Sequence, residues 1–332
     1  MSEPRILVPP AIDPRAFAGR ADGANVRLVG ETMGTMWSLL ATSNVAPAVI
    51  ERAVVAACDA VIAEMSHWVA GSELCRFNRL PPGGWASLSS GFFHVLTAGI
   101  ALAHDSGGAF DPGAGALVAA WGFGPDGSRA EPSPAEIVIA RARNDARRIE
   151  LDRHARRARQ PGGLMLDLSG IAKGHAVDRI GQTLAGLGIR HALIEVGGEL
   201  LGLGVQPSGE PWWVDVEQPP EAALPPTRVA LCGLAIATSG DYRRRREVDG
   251  RILSHTIDPR TGRPIDNHVA SVTVLHAEAM MADAYATALT VLGPKDGLAL
   301  AERHALAAAI VERTPTGFVE HVSVAWNAMA EE

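Results

Sequence analysis

Only three of the 332 residues are cysteine, Cys58, Cys75 and Cys232, and none stands in CxxC spacing. That odd, scattered set excludes a disulfide scaffold and suggests no zinc site. No run approaches the roughly eighteen uninterrupted apolar residues of a membrane-spanning helix. Residues 1–30, MSEPRILVPPAIDPRAFAGRADGANVRLVG, hold no apolar stretch of signal-peptide length and no lipobox cysteine. They read as an irregular lead-in, and a protein without a membrane span is expected, cytoplasmic, or periplasmic if a signal segment has been removed. There is no internal repeat. Excess basic charge is missing too: the net charge is −7 and the pI near 5.9. That balance weighs against nucleic acid as a partner, and the short Arg-rich run at 243–247 reads as a solvated face or an aid to binding an anion. What is present is ordinary globular material, 47% hydrophobic and 20% charged, with length enough for a sizeable core.

Coarse periodicity mixes the two kinds of element. Ala-rich helices are predicted at 46–65 and 91–105, and a third at 133–148 opens with Ser133 and Pro134. Alternating or β-branched runs predict strands at 35–42, 192–197, 212–217, 229–231, 235–238 and 270–276. Residues 82–87, 123–134 and 217–227 are Pro/Gly-rich loops, the last a candidate subdomain seam. The fold expected is α+β, with mixed or antiparallel sheets and flanking helices.

Chemistry concentrates at 254–293. IDPRTGRP (257–264) is a tight loop by its Pro259 and Gly262, and it presents His255 and Asp258. A histidine with its ordinary pKa near 6.5 suits base chemistry at neutral pH, although a lone loop histidine is more often a hydrogen-bonded structural residue. The helix that follows carries Asp283 and Thr287 at i and i+4, about 5–6 Å apart at Cβ on one face. One carboxylate with further oxygen donors suits a hard cation such as Mg²⁺, and the same pair also fits a solvated face. In LDLSGIAKGHAVD (166–178), Asp167 ends a strand, a Ser–Gly turn follows, and Lys173 and Gly174 open a helix. Helix N-terminal amides beside an ammonium favour a phosphate. The segment is not the P-loop pattern GxxxxGK[ST], which excludes a kinase or GTPase of that type. Asp111 in GGAFDPG is either a turn former or a ligand contact, and VGGE (196–199) is either a strand-ending turn or a close backbone approach to a ligand.

Taken in order, ETMGTMWS (31–38), SHWVAGSELCRFN (66–78), GGAFDPGAGALVAAWGFG (107–124), LDLSGIAKGHAVD (166–178), ALIEVGGEL (192–200), AIATSGDYRR (235–244), SHTIDPRTGRPI (254–265) and ADAYATALTVLG (282–293) resemble the ApbE-type FAD:protein FMN transferases. The resemblance implies a domain over 31–315 with a C-terminal tail at 316–332, and two intertwined subdomains with the FAD site between them. It implies Mg²⁺-dependent cleavage of the FAD pyrophosphate, attachment of FMN to a Thr or Ser hydroxyl of a target flavoprotein, and release of AMP. Met33, Trp68, Ala109, Phe110, Asp111, Asp167, Lys173 and Ile257 fall where such proteins contact FAD. Asp283 and Thr287 fall on side-chain Mg²⁺ ligands, the carbonyls of Gly170 and Ala286 complete the set, and His255 falls on the general base. Trp68 replaces a usual tyrosine, Gly113 a threonine and His175 a tyrosine. An FAD pyrophosphatase, or a flavin-binding protein without catalysis, would share most of these features.

Overall fold

The computed structural model describes residues 4–10, 23–241, 245–248 and 251–330, so the lead-in and the Arg-rich run lie partly outside the described residues. The chain divides into two compact units, neither of them contiguous. One comprises residues 1–59, 173–240 and 268–332, the other residues 60–172 and 241–267.

The first unit is built on an eight-stranded sheet of β1 (Ala24–Thr32), β2 (Thr35–Ser43), β3 (Ala192–Val196), β4 (Glu199–Leu203), β5 (Leu234–Gly240), β6 (Val269–His276), β7 (Ala307–Thr314) and β8 (Gly317–Val322). Spatial order follows chain order from β1 to β8, and every pairing is antiparallel. Three of the connections are two-residue turns, β1 to β2, β3 to β4 and β7 to β8. Met33 and Gly34 join β1 to β2 at φ 49° and 72°, and Gly197 and Gly198 join β3 to β4 at φ 62° and 103°. Glycine holds such angles without strain, but Met33 does not, which marks its turn as a costed feature.

Trp37, Leu39, Ile194 and Leu201 pack with Ile50 and Val54, and with Val177, Ile180 and Leu184 of the helix Ala172–Gly186. A second cluster joins Leu7, Trp212, Val229, Leu231, Ile236, Leu275 and Trp326. Residues 5–7 form a strand parallel to Thr227–Leu231, and 317–330 contribute β8 and a short helix that buries Trp326. The proline-rich 217–227 stretch is not a seam. It lies inside this unit as the loop of a hairpin, whose ends meet where the Val216 amide donates to the Thr227 carbonyl at 2.8 Å.

The second unit holds the helices Glu73–Asn78, Ser90–Asp105, Gly115–Ala120 and Pro134–Ala142, the last two sharing a core with Trp121 and Ile257. The Ser133 cap is a full capping box with Glu136, with Pro134 in the first turn. The helix nevertheless ends at Ala142 and does not reach 148, because Asp145 takes φ 86° and ψ 83° and only a 3₁₀ turn follows at Ala146–Arg148. The helix predicted at 282–293 in turn runs from Ala279 to Arg303, kinked where Gly293 (φ 77°) precedes Pro294. All three thiols are free. Among the described residues no helix is long and apolar enough to cross a membrane.

Candidate active site

Two constellations, one in each unit, collect the residues singled out by the sequence.

In the first unit Lys173, one of only two lysines in the chain, starts the Ala172–Gly186 helix and forms an ion pair with Glu199. The neighbouring amide, Gly174 N–H, donates to Oδ2 of Asp283 at 3.1 Å. The approach depends on glycine: a Cβ at position 174 would sit 2.2 Å from the Ala279 carbonyl oxygen. Asp178, one turn on, accepts from the amides of Ala279 and Met280 at 2.8 and 2.9 Å and so caps the helix that carries Asp283. The two helix starts are thereby bolted together.

Asp283 and Glu199 are buried, at 4% and 2% exposure. Burial pushes both carboxyls up, that of Glu199 to about 7, where the Lys173 ammonium opposes the shift and the Asp283 charge adds to it. For Asp283, Lys173 and the Gly174 amide oppose it. Two buried carboxylates against one ammonium form a site short of positive charge. Oε2 of Glu199 has no hydrogen-bond partner among the described residues. Hard oxygen donors with a charge deficit fit a cation such as Mg²⁺. Thr287 is half-buried one turn after Asp283, and the Ala286 carbonyl also accepts the Thr290 hydroxyl at 2.7 Å. Met33 sits at its strained turn, packed against the sheet core.

In the second unit the structure joins two predicted segments, because the Asp167 amide donates to the Pro112 carbonyl at 2.8 Å and Gly115 N–H to Met165 at 2.9 Å. Asn78 clamps the neighbouring Leu166 through both its amide and its carbonyl. Asp167 accepts from Ser169 N–H at 2.8 Å and faces His67 Nδ1 at 3.5 Å. Burial opposes ionisation there, yet the His67 hydrogen bond and charge prevail and hold the carboxyl below its ordinary range. Gly170 follows in the turn at 169–170.

Trp68 is 62% exposed, its ring 5.4 Å from that of His67. So large an apolar surface left in water is a ready stacking platform. Ala109, Phe110 and Ile257 are buried, so their side chains serve the core and any ligand would meet their backbone. The carboxylate of Asp111 is occupied by the amides of Gly113, Asp145 and Ala146 at 2.7 to 3.0 Å. It bonds its own loop, as a turn former does, and also lines a cleft of about 490 Å³ with Gly107, Gly108, Asn144 and Arg260. His255 is half-buried at the bend between the strands Arg251–Ser254 and Ile257–Asp258. Asp258 organises the loop beyond it, holding the Arg260 amide and guanidinium at 2.9 to 3.0 Å, and Gly262 closes the turn at φ 74°.

Two residues of these constellations escape a reading by motif. His67 adjoins Trp68 and could have been taken from its place in SHW. Glu199 ends VGGE, where the glycines drew the attention.

The comparisons agree with the motifs. The ApbE family model matches residues 33–311. The FAD:protein FMN transferase of Haemophilus influenzae is 35% identical over 92% of this chain and 92% of its own length. That of Vibrio cholerae is 36% identical over 90% of each. The crystal structure of Pseudomonas stutzeri flavinyl transferase ApbE, apo form, superposes with a TM-score of 0.85 at 37% identity, covering 92% of this chain and 97% of that one. By its motifs, its sheet and its match across nearly its whole length, this chain belongs to the ApbE family.

Proposed function

We propose that the protein is a Mg²⁺-dependent FAD:protein FMN transferase. The observation that carries the reading is the pair of buried carboxylates, Glu199 and Asp283, beside the half-buried Lys173 ammonium, in a chain about one-third identical to proteins named for that activity. A protein that only stored flavin would gain nothing from burying two carboxylates beside one ammonium.

Asp283 and Thr287, with the carbonyls of Gly170 and Ala286, are the residues that would hold Mg²⁺. The cation, when bound, neutralises charge on the FAD pyrophosphate as its P–O bond breaks. The Lys173 ammonium, at the start of a helix, attracts the same anion. Trp68 stacks on a ring of FAD, and Met33, Ala109, Phe110, Asp111, Asp167 and Ile257 line its path, mainly through their backbone where the side chain is buried. His255 takes the proton of a threonine or serine hydroxyl on the target flavoprotein as that oxygen attacks the FMN phosphorus. The new bond is a phosphoester to the acceptor, the bond broken is the pyrophosphate P–O, and AMP leaves with the electron pair.

Incubation with FAD, Mg²⁺ and a flavoprotein domain bearing a candidate threonine tests this by intact mass. Gain of one FMN by the domain is the expected result. FMN and AMP in solution with the domain unchanged would make the protein a pyrophosphatase, and intact FAD would make it a binder.

A further inference from the structure

Glu199 is a buried acid, among the described residues, that its neighbours satisfy only in part. Its side chain is 3% exposed and one oxygen pairs with Lys173, while Oε2 is buried with no partner among the described residues. It stands opposite Val196 in the register of β3 and β4, immediately after the Gly197–Gly198 turn. Lys173 lies within electrostatic reach of Asp283 as well. With both carboxylates ionised, the three groups carry one net negative charge, and both carboxylates are buried. A fold keeps such an arrangement where something that binds completes it.

We propose that Glu199 is a working part of the divalent-cation site at Asp283: it supplies charge that draws the cation in, and its unpartnered oxygen accepts from a water of the cation's shell. This rests on the reading of Asp283 as a metal ligand. A magnesium-type ion keeps several waters when protein-bound, and outer acceptors for those waters tune affinity. Lys173 has the opposite influence, holding Glu199 in place while repelling the cation.

The test uses Mn²⁺ as the probe and the full chain without FAD, with free Mn²⁺ counted by electron paramagnetic resonance. Glu199→Gln keeps the shape and removes the charge. It should bind Mn²⁺ about tenfold to a hundredfold more weakly than the parent, with an unfolding midpoint that is equal or higher. Lys173→Met should bind more tightly, a sign that a merely structural pair would not produce. Parent-like affinity in Glu199→Gln, alongside loss of binding in Asp283→Ala, would reduce Glu199 to an anchor for Lys173 and leave Asp283 as a ligand. Parent-like binding in Asp283→Ala, or no binding by the parent with or without FAD, would overturn the metal reading and this inference together. Should Glu199→Gln fail to fold, Lys173→Met decides alone, and unchanged or weaker binding there sinks the proposal.

Discussion

The amide of Gly174 donates to the carboxylate of Asp283 across 109 residues of sequence, and this one bond ties the helix that opens with the lysine to the helix that carries the acid. It exists because position 174 has no side chain. Gly174→Ala would drive a methyl into the Ala279 carbonyl, and backbone cannot step aside as a flexible side chain can. We expect a loss of about 1–3 kcal/mol in stability, read by urea unfolding, together with weakened cation binding. Parent-like stability would show that the two helix starts are not rigidly joined.

Asp283→Asn separates stability from function. The amide oxygen still accepts from Gly174, while a buried charge with too few partners disappears. In cation-free buffer the unfolding midpoint should stay or rise. Turnover should fall by roughly a hundredfold or more, as loss of a metal ligand implies. A variant that is both active in Mg²⁺ and less stable would reverse the assignment.

Trp68→Ala should cost about 1 kcal/mol or more of FAD binding, measured by calorimetry, if the indole stacks on a ring. Its stability should match the parent, since the side chain is largely in water already. Trp68→Tyr should restore most of the affinity. Equal FAD affinity in Trp68→Ala would leave the exposed indole without a role in flavin binding.

The Asp167–His67 pair sets part of the acid limb of stability. Burial works against the carboxylate, but the His67 bond and charge, with the Ser169 hydrogen bonds, outweigh it, so the folded pKa lies below its ordinary value of 3.8. The contribution is therefore complete above the unfolded value and is lost as pH falls through it toward the lower folded one. Asp167→Asn should flatten the stability curve in that acid window. Denaturant unfolding across the window checks this, and an unchanged slope in Asp167→Asn would mean the pair contributes nothing.

How far the residues announced this arrangement depends on the kind of signal. Alternation revealed β2, β3 and β6 because one face of each strand is apolar, and Ser133–Pro134–Glu136 marked a helix start that the capping box realises. The end of that helix was hidden, because nothing in ARARNDARR is a glycine or proline, and the stop is the left-handed backbone of Asp145. β1 lay unseen in a segment whose prolines suggested irregular chain, and β7 and β8 add an edge that the motifs do not reach. Asp167, Lys173 and Asp283 were legible as candidates from a helix start and from spacing, and that helix start is found at Ala172–Gly186. Glu199 was not, since its importance comes from burial beside Lys173, a contact of 26 positions that no local pattern encodes.

His255→Gln should still bind FAD and retain its fold, yet lose FMN transfer by about 10²–10⁴-fold, the usual contribution of a positioned base. Single-turnover transfer followed by mass spectrometry measures it. A near-parent rate would make His255 a structural member of its bend and shift the search to Asp258.

Counting both products of one reaction tests the central claim most directly. With FAD, Mg²⁺ and an acceptor domain, AMP is quantified by chromatography and FMN-bearing acceptor by intact mass at the same time points. The account predicts one AMP for each FMN attached, with no free FMN and no attachment to an acceptor whose threonine is replaced by alanine. AMP released together with free FMN, while the acceptor keeps its original mass, would contradict it.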